Sequence, residues 1–162
     1  MTHFEVNKST EKSEGEVKVM REPLCGTFNP GIDAKGRMSF PSKLRDILGP
    51  EFYLCLSHRG NYIAVFSKEE FDIYCGKLND LPGAAGEQIK REVLSGADKQ
   101  TPDKQGRIFI SQNLRDRAGI KDEVTVIGNL TRAEIWASDK LEASSSQVDA
   151  AAREALLADI SL

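Results

Sequence analysis

The sequence predicts an α+β fold in which two copies of one small unit share a single core. Three observations lead there. The stretch "IDAKGRMSFPSKLRDILG", beginning at Ile32, returns seventy residues later as "PDKQGRIFISQNLRDRAG". Asp33, Gly36, Arg37, Leu44, Arg45, Asp46 and Gly49 recur as Asp103, Gly106, Arg107, Leu114, Arg115, Asp116 and Gly119. Apolar residues alternate in short runs bounded by turn residues, and switch to helical spacing between those runs. The 162 residues, 40% of them hydrophobic, suit one domain, whereas half that length buries too little surface for a secure core of its own. Two halves packed about a pseudo-two-fold axis would share one core and set both repeated turns at related positions on one rim.

The elements follow in order. Residues 1–20 are polar and mixed in charge, which predicts a disordered arm. Met20 could serve as an internal start. Leu24 to Ile32 reads as extended chain interrupted by Pro30-Gly31, and a proline there suits an edge strand or a bulge. "DAKGR" is a turn, because Asp can bond its own backbone two residues on and Gly tolerates positive φ. Arg37 to Phe40 is a short strand. Pro41 or Ser42 then opens a short helix with Leu44, Ile47 and Leu48 on its apolar face, stopped by Gly49-Pro50. "EFYLCLS" and "YIAVFS" are strands joined by His58-Arg59-Gly60-Asn61.

Ser67-Lys68-Glu69-Glu70 is a capping box for a helix carrying Phe71, Tyr74, Cys75 and Leu78 on one stripe. "NDLPGAAG" reads as a linker before a helix from about Glu87 to Leu94. The second half repeats the order: Ala97 to Pro102 leads into "DKQGR", Arg107 to Ile110 is a strand, Ser111 caps a helix through Ala118, and "EVTVIG" with "RAEIW" forms a hairpin. "QVDAAAREALLADISL" is a short acidic helix. The divisions are 1–20 for the arm, 21–80 and 81–140 for the repeats, and 141–162 for an acidic tail.

The net charge is −3 with a pI of about 5.5, which is not the profile of a nucleic-acid binder. The distribution says otherwise. From Asp139 onward, Lys140 and Arg153 oppose Asp139, Glu142, Asp149, Glu154 and Asp159, so this segment holds the entire net charge. The remainder is neutral and free to be locally polarised. Lys35, Arg37, Lys104 and Arg107 lie in or beside the turns, and Lys43, Arg45, Arg115 and Arg117 follow on the short helices. Together they form a basic patch that net charge conceals, suited to phosphates and, through arginine, to guanine. The competing reading has Asp33 and Arg37 merely bracing their own turn as a weak surface pair. The two readings can coexist, since an Asp that shapes its turn also fixes the loop presenting the Arg.

Other chemistries fare poorly. His3 and His58 are the only histidines, and no nucleophile motif, phosphate loop or metal signature appears. Asp33 and Asp103 each carry an Arg that would hold them ionised. Cys55 and His58 supply two metal ligands at most, and Cys25, Cys55 and Cys75 read as reduced thiols. The absence of an apolar leader or a membrane-length segment predicts a cytoplasmic protein.

The two turn units, with "YIAVFSKEEFDIYCGKL", "REVLSGADKQ" and "DEVTVIGNLTRAEIW" in order from about Leu24 to Trp136, resemble the MraZ family of bacterial transcriptional regulators of the division and cell-wall gene cluster. One Asp-x-x-x-Arg is a worthless motif; two, each leading into Leu-Arg, with Glu-Ile-Trp behind the second, are specific. The resemblance implies a double-repeat AbrB-like swapped-hairpin β-barrel with short flanking helices. It implies homo-oligomeric rings that bind short direct repeats of double-stranded DNA in their own promoter, in the nucleoid, with no cofactor, membrane or small-molecule substrate. Arg37 and Arg107 become the signature arginines, Lys35 and Lys104 their basic neighbours, and Asp33, Gly36, Asp103 and Gly106 the turn-shaping residues. Departures from the family pattern are Leu24-Cys25-Gly26 after a long arm, Pro30 and Pro102 at strand positions, Ser111 in place of a proline, and Lys104-Gln105 in place of the Ala34-Lys35 order. The rivals are a homo-oligomeric scaffold with no specific DNA site and an AbrB-like antitoxin, against which the internal repeat argues.

Overall fold

The seventy-residue period sets how the strands pair. The computed structural model describes residues 22–161, so the expected arm lies outside the described residues. The first half contains β1 (Thr27–Phe28), β2 (Arg37–Ser39), α1 (Ser42–Leu48), β3 (Phe52–Leu56), β4 (Ile63–Ser67) and α2 (Lys68–Asn79), and α3 (Gly83–Leu94) leads into the second. The second contains β5 (Asp98–Gln100), β6 (Arg107–Phe109), α4 (Gln112–Ala118), β7 (Val124–Asn129), β8 (Arg132–Ala137), α5 (Ser138–Ser145) and α6 (Ala150–Leu157).

Six strands form an antiparallel sheet in the order β1-β7-β8-β4-β3-β5, and β2 pairs with β6 in a separate ribbon. The halves exchange strands: β1 pairs with β7 of the second half, and β5 pairs back onto β3 of the first. The pseudo-two-fold axis is visible in the registers. Met38 faces Ile108 at the centre of the ribbon, and Ala64 faces Glu134 where β4 meets β8. The outer ladders obey the same symmetry, Phe28 facing Val126 and Asp98 facing Leu54, once β7 is set two residues later than β3. The segment from Gly119 to Val124 is two residues longer than that from Gly49 to Phe52. The second hairpin takes the two back: Leu54 pairs with Val65, but Val126 pairs with Ile135.

The α+β class and the exchanged double repeat are therefore as expected. The ladder stays open between β1 and β5, and the ribbon is tied to both edges instead. Ile32 bridges Met38, and the side-chain amide of Gln100 pairs with the backbone of Phe109.

Alternation divides the apolar residues between two faces. Phe52, Leu54, Ile63, Val65, Val124, Val126 and Ile135 join Met38 and Ile108 of the ribbon and Leu44 and Leu114 of the short helices in the main core. On the other face of β3 and β4, Cys55, Ala64 and Phe66 pack with Leu78 of α2 and Val93 of α3. The α2 stripe is as the spacing predicts, with Ser67 Oγ accepting from Glu70 N at 3.2 Å. Ser111 Oγ accepts from Leu114 N in the same way.

Two elements differ from expectation. The helix α3 begins at Gly83, not near Glu87. The small residues of "PGAAG" do not loop out. They let the first turn of α3 close on Leu81, whose Cβ would lie 2.9 Å from any Cβ added at Gly86. The helix α5 was not anticipated; it follows β8 as α2 follows β4, on a segment with too few apolar residues for periodicity to reveal it.

Leu114 is fully buried in the shared core, whereas Leu156 on α6 is 70% exposed. Leu114→Ala should cost about 2–5 kcal/mol in urea unfolding. Leu156→Ala should stay within about 0.5 kcal/mol of wild type in the isolated subunit.

Candidate functional site

Each repeated turn is organised by its aspartate. Asp33 Oδ1 accepts from the backbone N–H groups of Lys35 and Arg37, both at 2.9 Å, while Oδ2 accepts from Arg37 Nε at 2.9 Å. Asp103 does the same seventy residues later, with Gln105 N, Arg107 N and Arg107 Nε, each again at 2.9 Å. A short pair of backbone bonds closes each turn: Asp33 N to the Arg37 carbonyl and Gly36 N to the Asp33 carbonyl, with the same pair at Asp103 and Gly106.

These bonds favour the ionised carboxylate. Asp33 is lowered to about 2, chiefly by the Arg37 backbone N–H; the Arg37 side chain and the Lys35 N–H add to it, against partial desolvation. Asp103 is lowered for the same reasons, led by the Arg107 backbone N–H. Neither carboxylate is available as an acid or base near neutral pH.

The glycines serve a second purpose. Gly36 has φ +97° and Gly106 has φ +79°, both in the left-handed region. Each also receives an arginine from the opposite repeat. A Cβ at Gly36 would run into the Ile110 carbonyl and lie 2.7 Å from Arg115 Nε. One at Gly106 would lie 2.7 Å from Arg45 Nη2. Arg115 donates from Nε to the Ile110 carbonyl at 2.9 Å and from Nη2 to the Lys35 carbonyl at 3.2 Å. Arg45 donates from Nε to the Phe40 carbonyl at 3.0 Å. Each Leu-Arg-Asp arginine thus closes over the other repeat's turn.

This divides the expected basic patch. Arg115 is buried and Arg45 half-buried, and both brace the fold. Arg117 Nη2 donates to the Glu92 carbonyl at 2.8 Å and ties α4 to α3. Lys43 stays exposed. The bracing role is missed by reading the sequence because residue type alone does not say whether a helical arginine points outward or across a repeat boundary.

The remaining residues converge. Arg37, Ser39, Arg107 and Phe109 all point away from the core on the outer face of the ribbon, while Met38 and Ile108 point inward. Arg37 lies opposite Phe109 and Arg107 opposite Ser39. The two arginines are therefore diagonal neighbours, with Cα atoms roughly 7–8 Å apart by the geometry of antiparallel pairs. Each spends Nε on its own aspartate, and its two terminal amines make no hydrogen bond among the described residues. Lys35 and Lys104 are exposed in the turns at either end, at non-equivalent positions: Lys35 corresponds to Gln105, and Lys104 to Ala34.

Cys55 and His58 do not converge. The Cys55 thiol is buried and pushed up to about 12 by that burial, while His58 Nδ1 lies 3.0 Å from the Tyr74 hydroxyl. Among the described residues no group of three His, Cys, Asp or Glu side chains could hold a metal ion. No described helix is long and apolar enough to cross a membrane.

The family model described as "MraZ protein, putative antitoxin-like" matches the chain twice, over residues 24–90 and 93–159. A protein of Lachnoclostridium phytofermentans named transcriptional regulator MraZ is 39% identical over 123 residues, 75% of this chain and 86% of that protein. Its namesake in Bifidobacterium longum is 41% identical over 122 residues, 74% of this chain and 80% of that protein. One from a Thermoanaerobacter species is 39% identical over 133 residues, 81% of this chain and 92% of that protein.

The lock predicts unequal damage in the two turns. Gly36→Ala meets a backbone carbonyl, whereas Gly106→Ala meets the movable end of Arg45. Both should destabilise the fold in thermal unfolding, Gly36→Ala by more. For the carboxylates, a folded pKa near 2 means that Asp33 supports its turn fully above about pH 4 and loses that support as pH falls toward 2. A carbon-13 NMR titration should place the Asp33 midpoint near 2. In Arg37→Ala the midpoint should rise yet stay below 3.8, because the backbone bonds remain.

Proposed function

Because the chain belongs to the MraZ family, we propose that it is a DNA-binding transcriptional regulator that grips double-stranded DNA with the outer face of its ribbon. The family is one of regulators, not of enzymes. One observation carries the site: two arginines, related by the internal pseudo-two-fold axis, point outward from one ribbon, each with Nε held by its own aspartate and its terminal amines making no hydrogen bond among the described residues. A two-stranded ribbon fits the major groove, where arginine can bind guanine O6 and N7 through two donors. Lys35 and Lys104, at the ends, are placed to neutralise phosphates. The aspartates do not compete with this role. By occupying Nε they fix the arginine rotamer, so less freedom is lost on binding.

The finer reading follows the family. The protein acts in the cytoplasm, at the nucleoid, on its own promoter in the division and cell-wall gene cluster. It assembles as a homo-oligomeric ring whose subunits meet successive short direct repeats. One ribbon makes few contacts, and a ring supports this reading because a second ribbon then binds at high effective concentration. The exposed Leu156, Leu157 and Ile160 near the end of the chain offer apolar surface for such contacts. The divisions 21–80 and 81–140 are retained as the two repeats of each subunit.

Arg37→Ala and Arg107→Ala should each weaken binding to the protein's own upstream DNA by about 1–3 kcal/mol and reduce its salt dependence, with unfolding little changed. Fluorescence anisotropy at several salt concentrations measures both. Full affinity and an unchanged salt slope in a folded double variant would refute the proposed site.

A further inference from the structure

The ribbon's outer face is symmetric in its arginines and asymmetric beside them. Position 39 is Ser in the first strand, and its equivalent in the second is Phe109, 46% exposed. A second break in symmetry accompanies the first. Gln100 donates from Nε2 to the Phe109 carbonyl at 2.9 Å and accepts from Phe109 N at 3.2 Å. Its equivalent position in the first half is Pro30, and Ser39 has no such clamp among the described residues. The first strand's outer edge is held by the Ile32–Met38 backbone bridge, so the one large apolar side chain on this face is also the one whose backbone is held by a side-chain amide.

The clamp has a consequence. It saturates the outer edge of β6 at Phe109, so another strand cannot add there. What the position offers is a ring, directly opposite Arg37 in the ribbon. Arg37 and Phe109 form a pair without mutual backbone bonds, the kind in which side chains stand closest. A ring half out in water, between two arginines whose terminal amines make no hydrogen bond among the described residues, suits an apolar spot within an anionic surface. The major groove of DNA has one such spot, the C5-methyl of thymine.

We propose that Phe109 contacts a thymine methyl beside the base met by Arg37, and so gives the pseudo-symmetric reading face a direction. This rests on the DNA-binding reading above. A symmetric face would accept a site in either orientation. With Phe109 on one side and Ser39 on the other, the two orientations differ, and copies of the chain align in one sense along DNA.

The test uses the full chain and duplexes that it selects from a random pool. The selected duplex is resynthesised with each thymine in turn replaced by deoxyuridine, which removes only the methyl. At one thymine, on one side of the site, wild type should bind about three- to five-fold more weakly, as expected for one lost apolar contact. Phe109→Ser should fold, since Ser already occupies position 39 on the equivalent strand. It should bind the thymine duplex more weakly than wild type does and no longer distinguish thymine from deoxyuridine at that position. The inference fails if wild type ignores every replacement, or if Phe109→Ser keeps full methyl sensitivity. It also fails if Phe109→Ser changes only the oligomeric state, which would give the ring to a second copy of the chain. Arg37→Ala and Arg107→Ala on the same duplex separate the two failures. If they lose affinity while Phe109→Ser behaves as wild type, only the thymine contact falls. If they too bind as wild type, the DNA-binding face itself falls.

Discussion

Everything at the ribbon depends on one reciprocal contact: an arginine from each repeat closing over the glycine turn of the other. Arg115 lies against Gly36 and Arg45 against Gly106, at distances that leave no room for a Cβ. The contact is possible only if the repeats exchange strands, because a helix can reach the opposite turn only when β2 and β6 lie side by side. It also explains why the chain keeps Asp-x-x-Gly-Arg and Leu-Arg-Asp together, twice. The aspartate shapes the turn, the glycine leaves space, and the helical arginine of the partner repeat fills it.

The arginines of the repeat divide their work accordingly. Arg45 and Arg115 satisfy backbone carbonyls inside the fold, where Arg115 replaces its lost hydration with bonds to Ile110 and Lys35. Arg37 and Arg107 are half-exposed and pay for order with a single Nε bond each. A rigid inner pair therefore supports an outward pair whose terminal amines make no hydrogen bond among the described residues. That arrangement is what a reading surface needs, since residues that touch DNA must be held from behind.

Much of this was legible in the sequence because the relevant forces are local. The Asp turns, the Ser67 and Ser111 caps, the two hairpins and the α2 stripe each depend on residues within a few positions of one another. The internal repeat supplied the long-range part, since two equal units sharing a core must pair like with like. What escaped depends on distant partners. Nothing in "LRDR" tells Arg115, which is buried, from Arg117, which ties down Glu92. "PGAAG" has the composition of a linker, and only the approach of Leu81 makes it a helix start. The shifted register of β7 is hidden because two extra residues before Val124 are cancelled by a shorter hairpin after it. The two turns do meet on one ribbon, as the repeat implies, but of the basic residues on the short helices Arg45, Arg115 and Arg117 turn to backbone carbonyls and only Lys43 stays exposed.

Under the proposed function the four repeat arginines form an inner pair that braces and an outer pair that binds. Nitrogen-15 NMR of the guanidinium groups, recorded as duplex DNA is added, tests it most directly. Signals of Arg37 and Arg107 should shift and their terminal amine protons become protected from exchange, while those of Arg45 and Arg115, already engaged by the protein, stay in place. The claim is contradicted if Arg37 and Arg107 remain silent at saturation, or if DNA acts through Arg45 and Arg115 instead.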